Sequence, residues 1–135
     1  MPPEESSVGA SAWLGRAESS LSLARQPKPD QAHWADLCYL TQQAAEKAVK
    51  AVYRSLERPF RFTHSLEELG QGLEAAGVDL PDAVREAVVL TRYAVETRYP
   101  GIAEPVTEEE YQQAIALADA VVSWARSLIG PAANE

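Results

Sequence analysis

The amino-acid sequence predicts an all-α fold, an up-and-down antiparallel bundle of about five helices. Apolar residues recur at helical spacing along almost all of the 135 residues. No run of alternating β-branched residues reaches the length of a strand. Short connections between the helical stretches favour antiparallel neighbours. We therefore expect one bundle over residues 9–130, with a flexible N-terminus at 1–8 and a flexible tail at 131–135.

The first helix is predicted over residues 9 to 25. Its apolar stripe consists of Trp13, Leu14, Ala17, Leu21 and Ala24. These spacings place the five side chains on one helical face. The segment "QPKPD" ends the helix because proline cannot continue it. Asp30 is then a suitable N-cap for the next helix.

The second helix is predicted over residues 30 to 57 and, at 1.5 Å per residue, is roughly 40 Å long. Its seam consists of Trp34, Leu37, Cys38, Thr41, Ala45, Ala48, Val52 and Leu56. Gln42, Glu46 and Lys50 share another face, where Glu46 and Lys50 have the favourable i,i+4 spacing. Cys38 is the single cysteine of the chain and cannot form an intrachain disulfide, so we expect a small core residue.

The third and fourth helices are shorter. The segment "RPFRFT" interrupts the pattern, and Ser65 with Glu68 then forms a capping box for a helix that runs to about Ala76 and ends at Gly77. The fourth helix is predicted over residues 81 to 98, beginning near Pro81. Its inward side chains are predicted to be Val84, Val88, Leu90, Thr91 and Val95.

The fifth helix is predicted over residues 107 to 129. It begins with a second capping box, from Thr107 to Glu110, and its acidic first turn suits the positive end of the helix dipole. Its buried side chains are predicted to be Tyr111, Ala114, Ala118, Val121, Val122, Ala125 and Leu128.

Composition restricts the possible partners. The net charge is -8 and the isoelectric point is near 4.8, which argues against a broad nucleic-acid surface because such surfaces need many Lys and Arg residues. The N-terminal segment lacks the basic and apolar parts of a signal peptide, and no apolar run reaches the ~20 residues of a membrane span. We expect a cytoplasmic protein without membrane contact.

The sequence contains few motifs that indicate a catalytic or ligand-binding site. There is no glycine-rich phosphate loop, no HExxH and no Cys-His cluster, so we expect no metal site and no cofactor. Five arginines fall in two short segments, namely Arg54, Arg58, Arg61, Arg92 and Arg98. An Arg-His pair such as Arg58 and His64 could act on RNA, with arginine stabilising a phosphate oxyanion and histidine moving protons. A histidine at a helix start is alternatively a local structural residue.

Three segments together resemble one family. In order and spacing, "QQAAEKAVKAVY", "THSLEEL" and "RYP" resemble the HEPN domain, named for higher eukaryotes and prokaryotes nucleotide-binding. The resemblance covers about residues 10 to 130. It implies a helical bundle that is usually dimerised and is often encoded in prokaryotes beside a minimal nucleotidyltransferase. Many such pairs act as toxin and antitoxin.

The resemblance also bears on activity. Many HEPN members are ribonucleases with an Arg-x4–6-His motif late in the bundle. Here Arg98 matches the arginine, but no histidine follows it at that spacing. The chain therefore resembles the branch that lacks ribonuclease activity, with no catalytic residue. Arg58 and His64 satisfy the spacing in a different connection, which leaves a metal-independent toxin ribonuclease as the alternative.

We thus expect a non-enzymatic interaction module that binds a nucleotidyltransferase partner and a nucleotide; a purely structural helical module is a further alternative. The expected ligand site gathers Arg58, Arg61, His64, Arg92, Glu96, Arg98 and Tyr99. Alternatively, Arg92 and Glu96 form an i,i+4 pair and Tyr99 packs at the bundle end. Apolar side chains beyond one seam predict a homodimer; these are Tyr39, Val49, Leu117 and Trp124.

Overall fold

The computed structural model of the protein describes residues 9–95 and 105–130. Within those ranges all regular structure is helical, so the all-α prediction is confirmed. The helices are α1 (Ala10–Ala24), α2 (Trp34–Ser55), α3 (Leu66–Ala75), a composite α4 and α5 (Glu108–Ile129). The composite α4 consists of an α-helical turn Asp82–Glu86, a 3-10 segment Ala87–Thr91 and a further turn Arg92–Val95.

The helix α2 lies at the centre of the fold and packs against α1, α3, α4 and α5. The contacts Trp13–Lys50 and Ser20–Lys47 show that α1 runs antiparallel to α2. By contrast, α5 runs in the same direction as α2, because Trp34 stacks on Tyr111 while Val49 and Val121 line one cavity further along. This is the arrangement expected when α1, α2, α4 and α5 alternate in direction and α3 is an addition.

Side-chain and glycine signals set most helix ends as predicted. Ser65 Oγ accepts a hydrogen bond from the Glu68 backbone N–H, and Thr107 with Glu110 forms a complete capping box. Gly77 follows α3 with a positive φ of 90°. The start of α2 differs from the prediction, since the helix begins at Trp34 rather than near residue 30. There the His33 N–H donates to Asp36 Oδ2 at 3.1 Å, so His33 and not Asp30 precedes the first helical residue.

The inward face of α4 was predicted only in part. Val84 and Leu90 are buried as expected, but Ala87 is buried where the prediction placed Val88, and Val88 is exposed. The cause is the 3-10 segment, whose three residues per turn change the register of the side chains after Glu86. The predicted extension to residue 98 falls outside the described residues.

The predicted seams are confirmed except at Trp34, which is only partly buried, and at their C-terminal ends. Every residue of the α1 stripe is buried, and so is the predicted α5 set as far as Ala125. Leu56 and Leu128 were predicted to be inside but are 42 % and 51 % exposed. Leu56 directly follows α2, and Leu128 lies in the last turn of α5.

The apolar residues that suggested a dimer are mostly used within one chain. Val49 is buried in the core, while Leu117 and Trp124 pack partly buried against it. Among the side chains whose burial the structure describes, the large apolar ones that remain exposed are Leu23, Leu56, Phe62, Val88, Val89 and Leu128. The expectation of surplus apolar surface therefore does not hold for Val49, and the exposed residues differ from those predicted.

Across the described ranges, none of the helices combines the length and the hydropathy that a membrane crossing requires.

Candidate functional site

A row of polar side chains crosses the middle of α2. Gln42, Glu46 and Lys50 are four residues apart, which places them on one face of the helix. All three are buried, and Glu46 is only 4 % exposed. Polar groups so deep in a small helical fold require compensation by charge or hydrogen bonds.

Glu46 is the centre of this group. Its Oε2 accepts from Lys50 Nζ at 2.7 Å, and its Oε1 accepts from Gln42 Nε2 at 2.8 Å. A third contact joins Oε1 to His64 Nδ1 at 2.9 Å. Burial raises the pKa of Glu46, but the ammonium of Lys50 and the donors of His64 and Gln42 outweigh burial and lower it below 4.5. Glu46 is therefore an ionised carboxylate near neutral pH.

Aromatic rings complete the surroundings of Lys50. Its Nζ lies 5.1 Å from the centre of the Phe60 ring and 5.8 Å from the centre of the Trp13 ring. The faces of such rings attract cations. Together with Glu46 they hold a charged side chain in the interior.

His64 joins this buried group to the surface. Its side chain is 60 % exposed, although Nδ1 contacts buried Glu46. The backbone is held as well, because Gln42 Nε2 is 3.4 Å from the carbonyl oxygen of His64 and the Ser65 N–H donates to Thr63 Oγ1 at 3.0 Å. The end of the α2–α3 connection is thus fixed in place by α2.

A cleft of about 270 Å³ lies beside this connection. Arg58 and Arg61 line it from the connection itself, with Thr63 beside them. The full lining consists of Tyr53, Arg58, Pro59, Phe60, Arg61, Thr63, Glu68, Leu69 and Gly72. Phe60 anchors this stretch, since its ring is buried edge-on against Trp13 with 5.6 Å between the ring centres. Arg58 and Arg61 remain exposed.

The floor of the cleft depends on a close contact between α2 and α3. Tyr53 Oη donates to the carbonyl oxygen of Leu69 at 2.6 Å. Gly72 makes room for that hydroxyl, because a Cβ at residue 72 would lie 2.1 Å from Tyr53 Oη. Glycine is therefore required here by close packing rather than by its φ angle.

The composite α4 reaches the start of α3 from the other side. The Leu66 N–H donates to Thr91 Oγ1 at 3.1 Å. The next residue, Arg92, is oriented toward α5, with Nη1 3.5 Å from Glu110 Oε2. Burial raises the pKa of Tyr93 to about 12 and that of Cys38 to about 11, and the two side chains are hydrogen-bonded. Cys38 is a buried core residue, as predicted, and not a reactive thiolate.

The predicted site residues thus separate into three groups. Arg58 and Arg61 share the cleft, and His64 lies at the end of the same connection, attached to Glu46. Arg92 does not line this cleft and pairs with Glu110 instead. The last group lies outside the described residues: Glu96, Arg98 and Tyr99.

Sequence reasoning did not predict the buried role of Gln42, Glu46 and Lys50. It placed them on a second face of α2 and treated Glu46 and Lys50 as an ordinary helical ion pair. The available signal was that these polar side chains recur every four residues among alanines. Alanines allow a neighbouring helix to pack closely, so polar side chains on such a face can become buried. The proximity of His64 to Glu46 depends on the path of the connection and has no signature in the sequence.

Comparison with known proteins agrees with this fold. The family model of the HEPN domain matches residues 10–128, and the chain belongs to the HEPN domain family. The resemblance noted in the sequence is confirmed.

Two solved structures are similar to this chain. TT1696 from Thermus thermophilus is 32% identical, with a TM-score of 0.75 over 87% of this chain and 96% of that chain. ST0689, described as an archaeal HEPN homologue, is 26% identical, with a TM-score of 0.72 over 90% of this chain and 98% of that chain. No curated protein matches the chain.

Proposed function

We propose that this HEPN domain is a non-enzymatic interaction module that binds a nucleotide through its phosphates at the cleft of the α2–α3 connection. The observation that carries the proposal is the fixed geometry of this connection, where Phe60 and His64 are attached to the core while Arg58 and Arg61 stay exposed on the cleft. Preorganised charged groups bind a ligand without a large ordering cost.

Charge supports an anionic ligand. On a chain of net charge -8, Arg58 and Arg61 place two positive charges on one small cleft. Neither arginine forms an ion pair within the described residues. Guanidinium groups match phosphate oxygens in a bidentate geometry. Glu68 also lines the cleft, and its negative charge favours a ligand whose phosphates lie on the arginine side.

Calorimetric titration with ATP tests this proposal. We expect wild-type protein to bind, and Arg58→Ala with Arg61→Ala to weaken binding at least about tenfold, since charge-assisted hydrogen bonds contribute about 1.5–3 kcal/mol each. Arg16→Ala is the control for each of the two single cleft variants, because it likewise removes one exposed arginine but lies on α1, outside the cleft. Unchanged affinity in the cleft double variant would place the ligand elsewhere.

The protein partner is the second part of the proposal. The family resemblance supports a minimal nucleotidyltransferase as partner, in a pair of the prokaryotic toxin–antitoxin type, and a homodimer as the functional form. Exposed Val88 and Val89 on α4, with Phe62 in the α2–α3 connection, offer apolar surface for such contacts. Light scattering of the purified protein tests the dimer, and a monomer at micromolar concentration would contradict it.

A ribonuclease is the alternative function, and the contact between Glu46 and His64 favours it. In that reaction His64 takes the proton of an RNA 2′-hydroxyl, while the 2′-oxygen attacks the adjacent phosphorus. The bond from phosphorus to the 5′-oxygen breaks, and the 5′-oxygen takes up a proton from solvent, to which His64 returns the proton that it accepted. Arg58 would stabilise the charged phosphate oxygens.

Incubation of the protein with total RNA in the presence of a chelator separates the two functions. We expect no cleavage, because no histidine follows Arg98 at the spacing of the family's ribonuclease motif. The comparison variant is His64→Ala, which removes the exposed imidazole and its contact with Glu46, and circular dichroism must show that this variant is folded. Cleavage by the wild type that this variant abolishes would overturn the non-enzymatic assignment and give Arg58 and His64 catalytic roles.

A further inference from the structure

The contact between Glu46 and His64 determines which ring nitrogen of the histidine carries a proton. Glu46 is ionised, and an ionised carboxylate can only accept hydrogen bonds. His64 Nδ1, at 2.9 Å from Glu46 Oε1, must therefore be the donor. A neutral imidazole has a single N–H, so its other nitrogen, Nε2, holds a free lone pair.

The lone pair of Nε2 is available to a ligand. The His64 side chain is 60 % exposed, and within residues 9–95 and 105–130 its ring has one hydrogen bond, at Nδ1, and none at Nε2. Thr63, its neighbour in the chain, lines the cleft that Arg58 and Arg61 share. The same small region thus combines two cationic hydrogen-bond donors, the guanidinium groups of Arg58 and Arg61, with one hydrogen-bond acceptor, His64 Nε2.

We propose that Glu46 is a positioning residue that holds His64 as a hydrogen-bond acceptor at Nε2, and that this nitrogen receives a ribose hydroxyl of the bound nucleotide. The hydroxyl part rests on the proposed function. A phosphate near neutral pH offers chiefly acceptor oxygens, so it suits Arg58 and Arg61 but not a neutral Nε2. The ribose hydroxyls of the nucleotide lie close to its phosphates and can donate a hydrogen bond to Nε2. We therefore expect the site to bind a ribonucleotide more tightly than its deoxy analogue.

Nitrogen NMR of the ligand-free protein tests the positioning role. At about pH 8.5 we expect nearly every His64 ring to carry its proton on Nδ1. His33 is the internal control, because it is exposed and its side chain has no carboxylate partner in the described ranges. Glu46→Gln is expected to give a mixture of tautomers, since an amide can accept or donate. Should this variant not fold, the wild-type spectrum alone decides, and a proton on Nε2 would overturn the proposal.

Calorimetry with three nucleotides tests the hydroxyl contact. We expect either 2′-deoxy-ATP or 3′-deoxy-ATP to bind about threefold to tenfold more weakly than ATP, the worth of one hydrogen bond. In His64→Ala this difference should disappear. Equal binding of all three nucleotides by the wild type would overturn the hydroxyl contact while leaving the proposed function intact. Absence of ATP binding would overturn the proposed function and the hydroxyl contact together, whereas the NMR result is obtained without ligand.

Discussion

Replacing Glu46 with leucine is expected to lower the free energy of unfolding by about 3–5 kcal/mol, because Lys50 is then left buried without its counter-charge. Lys50 Nζ has Glu46 as its ion-pair partner at 2.7 Å, and aromatic rings alone do not replace a carboxylate. Chemical denaturation monitored by circular dichroism measures the change. Glu86→Leu is the control, since Glu86 is exposed on α4 and should change stability by only about 0.5 kcal/mol.

A double variant tests the physical reason. Combining Glu46→Leu with Lys50→Met removes both charges and is expected to recover most of the lost stability, since apolar residues of similar volume often replace a buried ion pair without loss. If the double variant were as unstable as the sum of both single variants, the unpaired charge would not be the cause.

The same carboxylate gives stability a defined pH dependence. The pKa of Glu46 is lower in the folded protein than its ordinary value of 4.5, so ionised Glu46 stabilises the fold above that pH. This contribution is lost as the pH falls through the folded pKa. The stability difference between wild type and Glu46→Gln should therefore narrow below about pH 4.5. A difference that widened on acidification would contradict the assigned charge state.

The second large effect is expected at the floor of the cleft. Gly72→Ala should destabilise the fold by about 2–3 kcal/mol, although alanine is the better helix former. Its Cβ would lie 2.1 Å from Tyr53 Oη, so the tyrosine must move and lose its bond to the Leu69 carbonyl. Thermal or chemical unfolding measures this cost, and the cleft should also change shape.

Two controls isolate the clash at Gly72. Gly15→Ala lies within α1, where nothing comes within 4 Å of the added Cβ, and it is expected to stabilise by about 0.5–1 kcal/mol. In a Tyr53→Phe background the hydroxyl is absent, and the further cost of Gly72→Ala should be much smaller. An unchanged cost there would show that the hydroxyl is not responsible.

Most of the fold could be predicted because its determinants are local. Helical spacing and capping residues gave the helices to within a few residues, as at Thr107 and Gly77. The 3-10 segment Ala87–Thr91 could not be predicted, because nothing in "AVVLT" distinguishes it from an α-helix. Leu56 and Leu128 continue the apolar spacing of their helices and yet are exposed, so periodicity alone does not report burial at a helix end.

The candidate site was less predictable. Arg58, Arg61 and His64 could be selected by residue type, and two of them line one cleft. The partner of His64 is Glu46, 18 residues earlier, and only the folded path of the connection brings them together. A carboxylate in an i,i+4 pair is usually at the surface, so the burial of Glu46 required the structure.

In the α2–α3 connection, the residues that hold the shape of the segment differ from the residues of the proposed binding surface. Phe60 and His64 tie the segment to the core, whereas Arg58, Arg61 and Phe62 between and before them are exposed. Substitutions at these three exposed positions should therefore cost little stability. The surface chemistry of this segment could therefore be altered by exchange of side chains alone, without redesign of the bundle.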